Sequence, residues 1–152
     1  MLAPRIEAAR FLDLCAGTGA VGIEALSRGA AHVTFVDQSR KMCGLIDSNL
    51  ETLEISTANF VVIPAEATEY LRRQAKKHDT QFDIVYFDPP YAIDYDLSLG
   101  FIGEGAAQML GVDAVVVVEH HKKTVLADQF RDLHRYRELK QGDSVLSFYR
   151  AL

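Results

Sequence analysis

Four consecutive residues, Asp88-Pro89-Pro90-Tyr91, carry the most chemically specific pattern in the chain. Each proline pushes the residue before it out of the helical region. The segment is therefore extended and rigid, and no helix takes up its carbonyl groups. The Asp88 carboxylate and the Pro89 carbonyl offer two acceptors for the two hydrogens of a planar amino group on a heteroaromatic ring. Such an amine is a poor nucleophile, because its lone pair is delocalised into the ring. Two acceptors favour a pyramidal nitrogen and direct the lone pair at a methyl donor. Tyr91 adds a face for the ring to stack on, worth roughly 1–3 kcal/mol in comparable base–aromatic contacts. This is catalysis by positioning, and it needs no strong base before attack. The bland alternative is a Pro-Pro loop carrying a surface tyrosine.

A second pattern lies near the start, in Arg10-Phe-Leu-Asp-Leu-Cys-Ala-Gly-Thr-Gly-Ala-Val-Gly22. Gly17 and Gly19 let the backbone turn sharply and approach a ligand that a Cβ would block. The free N–H groups of the following helix then face the crevice. Three carboxylates fall at strand ends: Asp13, Asp37 and Glu66. Asp37 lies 18 residues beyond Gly19, where a carboxylate accepts hydrogen bonds from ribose hydroxyls; capping of the next helix is the alternative. Asp13 is costly to bury without a partner, which favours a role facing a cationic or hydrogen-bonding group such as an α-amine. Gly17-x-Gly19-x-x-Gly22 also fits the dinucleotide fingerprint. A nicotinamide enzyme would leave Asp88-Pro-Pro-Tyr91 without a role, and no chain remains for a substrate domain.

These residues need a sheet to hold them at one edge. The periodicity predicts strands over 11–14, 32–36, 59–63, 82–87 and 114–119, alternating with helices over 20–28, 40–53, 68–77 and part of 97–110. The run Ala114-Val-Val-Val-Val-Glu119 is apolar enough for a strand buried on both faces. A short helix is expected over 124–130, and a hairpin over 133–139 and 144–150, turning at Gln141-Gly142-Asp143. Pro4 argues against helix at Ala3. Alternation of strands and helices implies a parallel sheet with right-handed crossovers, closed by an antiparallel hairpin, and one domain over 1–152.

Composition narrows the classes. The 152 residues are 49% hydrophobic and 24% charged, with a net charge of −5, which argues against strong non-specific binding of nucleic acid. No apolar run approaches the roughly 20 residues of a membrane span. Two cysteines are too few for a disulfide framework and fit a reducing cytoplasm. Glu119-His120-His121 is not read as a metal site, because neighbours on a strand face opposite ways. Cys15 reads as a packed residue, and Arg72, Arg73, Lys76 and Lys77 as a solvated helix face.

Together, the glycine turn, Asp37 and Asp88-Pro-Pro-Tyr91 resemble class I S-adenosylmethionine-dependent methyltransferases that act on exocyclic amines. Leu12 to Ala30, LDLCAGTGAVGIEALSRGA, is similar to the RsmD family, which methylates guanine N2 in small-subunit (16S) ribosomal RNA. The resemblance implies a Rossmann-like α/β fold with a mostly parallel seven-stranded sheet and a C-terminal antiparallel hairpin. It implies that Asp13 and the backbone of Ala16, Gly17, Thr18 and Gly19 hold the methionine part of S-adenosylmethionine. Asp37 would bind the ribose, with Gln38 beside the adenine, and Glu66 and Ala67 at the adenine edge; the family usually has Asp at position 66. Asp88, Pro89 and Tyr91 would hold the target guanine. The implied partners are ribosomal RNA or the assembling small subunit, with S-adenosylhomocysteine as product, no membrane, and a monomer expected. Asp-Pro-Pro-Tyr is shared with adenine-N6 DNA enzymes, so DNA is the rival substrate and an inactive cofactor-binding remnant the rival class. The family begins with a basic segment longer than the nine residues that precede the first strand here, and weakened cofactor and RNA binding is the corresponding expectation.

Overall fold

A computed structural model describes residues 3–79, 81–90 and 94–151. In chain order the elements are α1 (Ala3–Ile6), β1 (Arg10–Leu14), α2 (Ala20–Ser27), β2 (His32–Asp37), α3 (Arg40–Thr52), a 3-10 turn (Thr57–Asn59) and β3 (Phe60–Pro64). They continue with α4 (Ala67–Gln74), β4 (Phe82–Phe87), α5 (Tyr95–Glu104), α6 (Ala106–Met109), β5 (Leu110–His121), β6 (Gln129–Phe130), β7 (Leu133–Gln141) and β8 (Ser144–Ala151). The strands form one sheet in the order β3-β2-β1-β4-β5-β8-β7-β6. β1 to β5 pair in parallel, β8 runs antiparallel to β5, and β7 and β6 complete the antiparallel end. The order reverses at β1, which pairs with β2 on one side and β4 on the other. Open α/β sheets bind ligands beyond the strand ends at that reversal.

Both faces of the central strands are covered. Leu12, Leu14, Val85, Phe87, Val116 and Val118 point to the face that packs on Leu71 of α4, Leu99 and Ile102 of α5, and Met109 of α6. Phe11, Val33, Phe35 and Ile84 point the other way, against Ala25 of α2 and Ile46 and Leu50 of α3. The approach of α2 is close: a Cβ on Gly22 would sit 2.4 Å from the Phe35 ring. Glycine at 22 is thus a packing requirement.

Three expectations need correction. The sheet has eight strands, because residues 129–130 form β6 where a helix was expected over 124–130. Val125 and Leu126 are adjacent, not at helical spacing, and Val125 points to solvent while Leu126 is buried. Phe130 is held by its ring contact with Tyr149 (5.7 Å between centroids) and by pairing with Leu133. Pro4 lies inside α1, in the first turn, where its missing N–H would have had no helical partner. Asn59 belongs to the 3-10 turn, so the third strand starts one residue later. The hairpin turns at Gly142, in the left-handed conformation with φ 61°, as glycine there permits.

Candidate active site

The parallel strands end on a crevice of about 450 Å³ whose walls include Asp37, Gln38, Glu66, Ala67, Asp88 and Pro89. Six of the residues named from the sequence therefore meet, from the ends of β2, β3 and β4. Cys15, Ser39 and Pro90 also line it; Pro90 belongs to the Asp-Pro-Pro-Tyr segment, whereas the types of Cys15 and Ser39 gave no signal that would have selected them. Burial, with Asp37, Glu66 and Asp88 nearby, pushes the Cys15 thiol up to about 12, so it stays protonated. That agrees with a packed residue and not a nucleophile.

The glycine turn stands at the β1 edge of this crevice and is tied to it through Asp37. Gly17, with φ 58°, donates its N–H to one Asp37 oxygen at 2.9 Å, and Ser39 donates to the other at 2.9 Å. Ala16 donates to the Val36 carbonyl at 3.0 Å and Gly19 to the Ala16 carbonyl at 2.8 Å, while the Thr18 carbonyl accepts from Asn49. Asp37 thus joins β2 to the turn while still lining the crevice. A carboxylate has about four lone-pair sites, so two remain for hydroxyl donors. Ser39, not Asp37, caps α3, its hydroxyl accepting from Met42 N.

Asp13 and Glu66 each already accept hydrogen bonds from backbone amides. Asp13 is buried at 2% exposure and accepts from Gly22 N–H at 3.0 Å, so the start of α2 supplies its partner. Burial pushes its carboxyl from 3.8 up to about 7, with Asp88 and Asp37 adding to the rise and the Gly22 amide opposing it. Glu66 caps α4, accepting from Thr68 N at 2.8 Å and Glu69 N at 3.1 Å. Asp88 is exposed at the crevice mouth; desolvation of its carboxyl and then the charge of Glu119 raise it to about 6. Tyr91 lies outside the described residues.

Past Asp88, Pro89 and Pro90 lies a second crevice of about 300 Å³, with Tyr95, Glu119, His121, Thr124 and Ser144 on its other side. The same three residues line both spaces. Residues 119–121 enter this wall through their own contacts: Glu119 accepts from Tyr86 OH at 2.7 Å, and His120 Nε2 lies 2.8 Å from Ser147 Oγ. His121 Nδ1 accepts from Lys123 N–H at 3.0 Å. The two imidazoles thus engage separate partners, and among the described residues no three His, Cys, Asp or Glu side chains group to hold a metal ion. Arg72 and Arg73 on α4 pair with Glu69. Among the described residues, no helix is long and apolar enough to cross a membrane.

A family model described as "Conserved hypothetical protein 95" matches residues 1–150. The chain belongs to that family. "Putative rRNA methyltransferase YlbH" of Bacillus subtilis (strain 168) is 37% identical over 151 residues, covering 99% of this chain and 80% of that protein. "Ribosomal RNA small subunit methyltransferase D" of Escherichia coli (strain K12) is 39% identical over 90 residues, which span 59% of this chain and 42% of that one. The solved "Putative methyltransferase yhhF" from Escherichia coli superposes with a TM-score of 0.85 at 29% identity, over 99% of this chain and 81% of that chain. The sheet of this member of the conserved hypothetical protein 95 family is that of class I methyltransferases, and the RsmD resemblance read from Leu12 to Ala30 holds.

Proposed function

We propose that the chain transfers a methyl group from S-adenosylmethionine to the exocyclic N2 of a guanine in small-subunit ribosomal RNA. One observation carries the reading: Asp88, Pro89 and Pro90 form a wall common to two adjoining crevices. The larger space has a size suited to a nucleoside-like ligand, and the smaller lies at the lower end of ligand-site volumes, about 300–1,000 Å³. A donor in one and an amine in the other would meet at the residues whose acceptors can orient that amine. The naming of similar proteins as ribosomal RNA methyltransferases supports RNA over DNA.

S-adenosylmethionine supplies a methyl carbon made electrophilic by its positive sulfur. Asp37, with Gln38, Glu66 and Ala67, would hold the nucleoside part, and Asp13 and the turn from Ala16 to Gly19 the methionine part. The Asp88 carboxylate and Pro89 carbonyl would accept the two amine hydrogens and so aim the nitrogen lone pair at the methyl carbon, the sulfonium being a leaving group that keeps the S–C bonding pair. Asp88 accepts the proton that nitrogen then releases. Tyr91 is assigned to stacking against the base.

The test is nucleoside mass analysis after incubation with S-adenosylmethionine and, separately, small-subunit RNA, assembled subunits and duplex DNA. N2-methylguanosine in RNA is expected. Methyladenine in DNA with no methylguanine in RNA would reverse the substrate, and heat from NAD but none from S-adenosylhomocysteine in calorimetry would end the reading. Asp37→Ala should weaken S-adenosylhomocysteine binding about tenfold or more, since each lost hydrogen bond to a charged group is worth about 1.5–3 kcal/mol.

A further inference from the structure

The smaller crevice has a feature that chemistry at the amine alone does not require. β4 and β5 pair in parallel with Phe87 opposite Val118. The next residues, Asp88 just past the end of β4 and Glu119 still within β5, therefore stand at one level, on the face that Tyr86 also occupies. Strands lie about 4.8 Å apart, so two carboxylates reach the same space side by side. Glu119 is half-buried, and one of its oxygens accepts from Tyr86 OH at 2.7 Å. That bond fixes the carboxylate plane and leaves the other oxygen for a ligand. Burial and the Glu119 charge hold the Tyr86 phenol well above its usual value, so it remains a donor to Glu119.

We propose that Glu119 reads the target base by accepting the N1–H of guanine while Asp88 and Pro89 hold the adjacent N2 amine. This rests on the methyl-transfer reading above. Guanine presents two neighbouring donor groups on this edge, N1–H and N2–H₂. Adenine presents an acceptor, N1, beside its N6 amine, and a carboxylate placed there meets a lone pair instead of a proton. Two acceptors on adjacent strands match two donors on adjacent ring positions, and this complementarity rejects adenine. Ser144 and Thr124 bring hydroxyl donors to the rim of the same crevice, where they can serve the guanine O6. His120 is already engaged with Ser147 and with the His121 carbonyl, so it takes no part.

The experiment uses synthetic RNA fragments around the methylated guanine found above, carrying guanine, 6-thioguanine or 2-aminopurine at that position. All three keep the N2 amine; 6-thioguanine keeps N1–H without O6, and 2-aminopurine has neither. The unaltered protein should methylate guanine and 6-thioguanine at similar kcat/KM and 2-aminopurine roughly 10- to 100-fold more slowly, as expected for one charge-assisted base contact. Glu119→Gln should bring the guanine-to-2-aminopurine ratio to within a few fold, with S-adenosylhomocysteine affinity unchanged. Tyr86→Phe, which keeps the carboxylate but frees it to turn, should lower the ratio part of the way. A ratio that Glu119→Gln leaves intact overturns the assignment of Glu119 while methyl transfer to guanine stands. If no guanine is methylated by the unaltered protein, the underlying reading falls and this one with it.

Discussion

Asp13→Asn tests whether the cofactor edge holds a carboxylate at a cost to the fold. Asp13 is 2% exposed, and it accepts from the Gly22 amide at 3.0 Å, which an asparagine side-chain oxygen can also accept from. The carboxyl rises from 3.8 unfolded to about 7 folded, so the folded protein binds a proton more tightly than the unfolded one. The sign follows from linkage: the stability contributed by this group is fully present below about pH 4 and is lost as pH rises through about 7. At about 1.4 kcal/mol per tenfold, the loss at pH 8 is at most about 4 kcal/mol. Asparagine, which does not titrate, escapes it. Thermal unfolding followed by circular dichroism should therefore show the two proteins within about 1 kcal/mol of each other at pH 4. At pH 8 Asp13→Asn should melt higher, by roughly 8–16 °C at most for a chain of this size. Equal melting at pH 8, or a lower value for the asparagine variant, would refute the claim that burial dominates the environment of Asp13. The same variant should bind S-adenosylhomocysteine more weakly if Asp13 faces the α-amine, giving a protein that is more stable and less competent.

Gly22→Ala should cost about 1–3 kcal/mol of stability, the usual range for overpacking, because the added methyl would lie 2.4 Å from a fully buried Phe35 ring; a urea titration with unchanged slope measures it. The rate of methyl transfer should rise with pH through about 6, where Asp88 becomes an acceptor. Asp88→Asn should lower the rate at least a hundredfold and remove that limb of the profile, while calorimetry shows S-adenosylhomocysteine still bound.

Fold and site were legible to different depths, for physical reasons. The middle of β5 could be read because a strand buried on both faces is apolar throughout, and β1 because its apolar Phe11, Leu12 and Leu14 run straight into the glycine turn. Asp37 and Asp88 could be placed because a carboxylate at the end of such a strand has a single edge to occupy. β6 could not be read, since two residues have no periodicity and Phe130 is held by Tyr149, nineteen positions away. The caps supplied to α4 by Glu66 and the bond from Gly22 to Asp13 use backbone amides, which every residue carries and no pattern advertises. Glu119 was visible only as part of an unpromising Glu-His-His run. Its meaning depends on Tyr86, 33 positions earlier in the chain, and only strand pairing brings the two together.

The sheet changes direction between the two crevices. The larger one is framed by loops leaving parallel strands β1 to β4, and the smaller by β5 and the start of β8, the returning arm of the terminal hairpin. In the proposed reaction, donor and acceptor would thereby occupy separate modules that share a single proline-stiffened partition. Insertions or exchanges in the hairpin can retune which base is accepted and leave the sulfonium side untouched. Drift around the glycine turn, in contrast, would alter cofactor grip for every substrate at once. Engineering toward a new acceptor should accordingly begin after residue 118 and stop short of the partition itself.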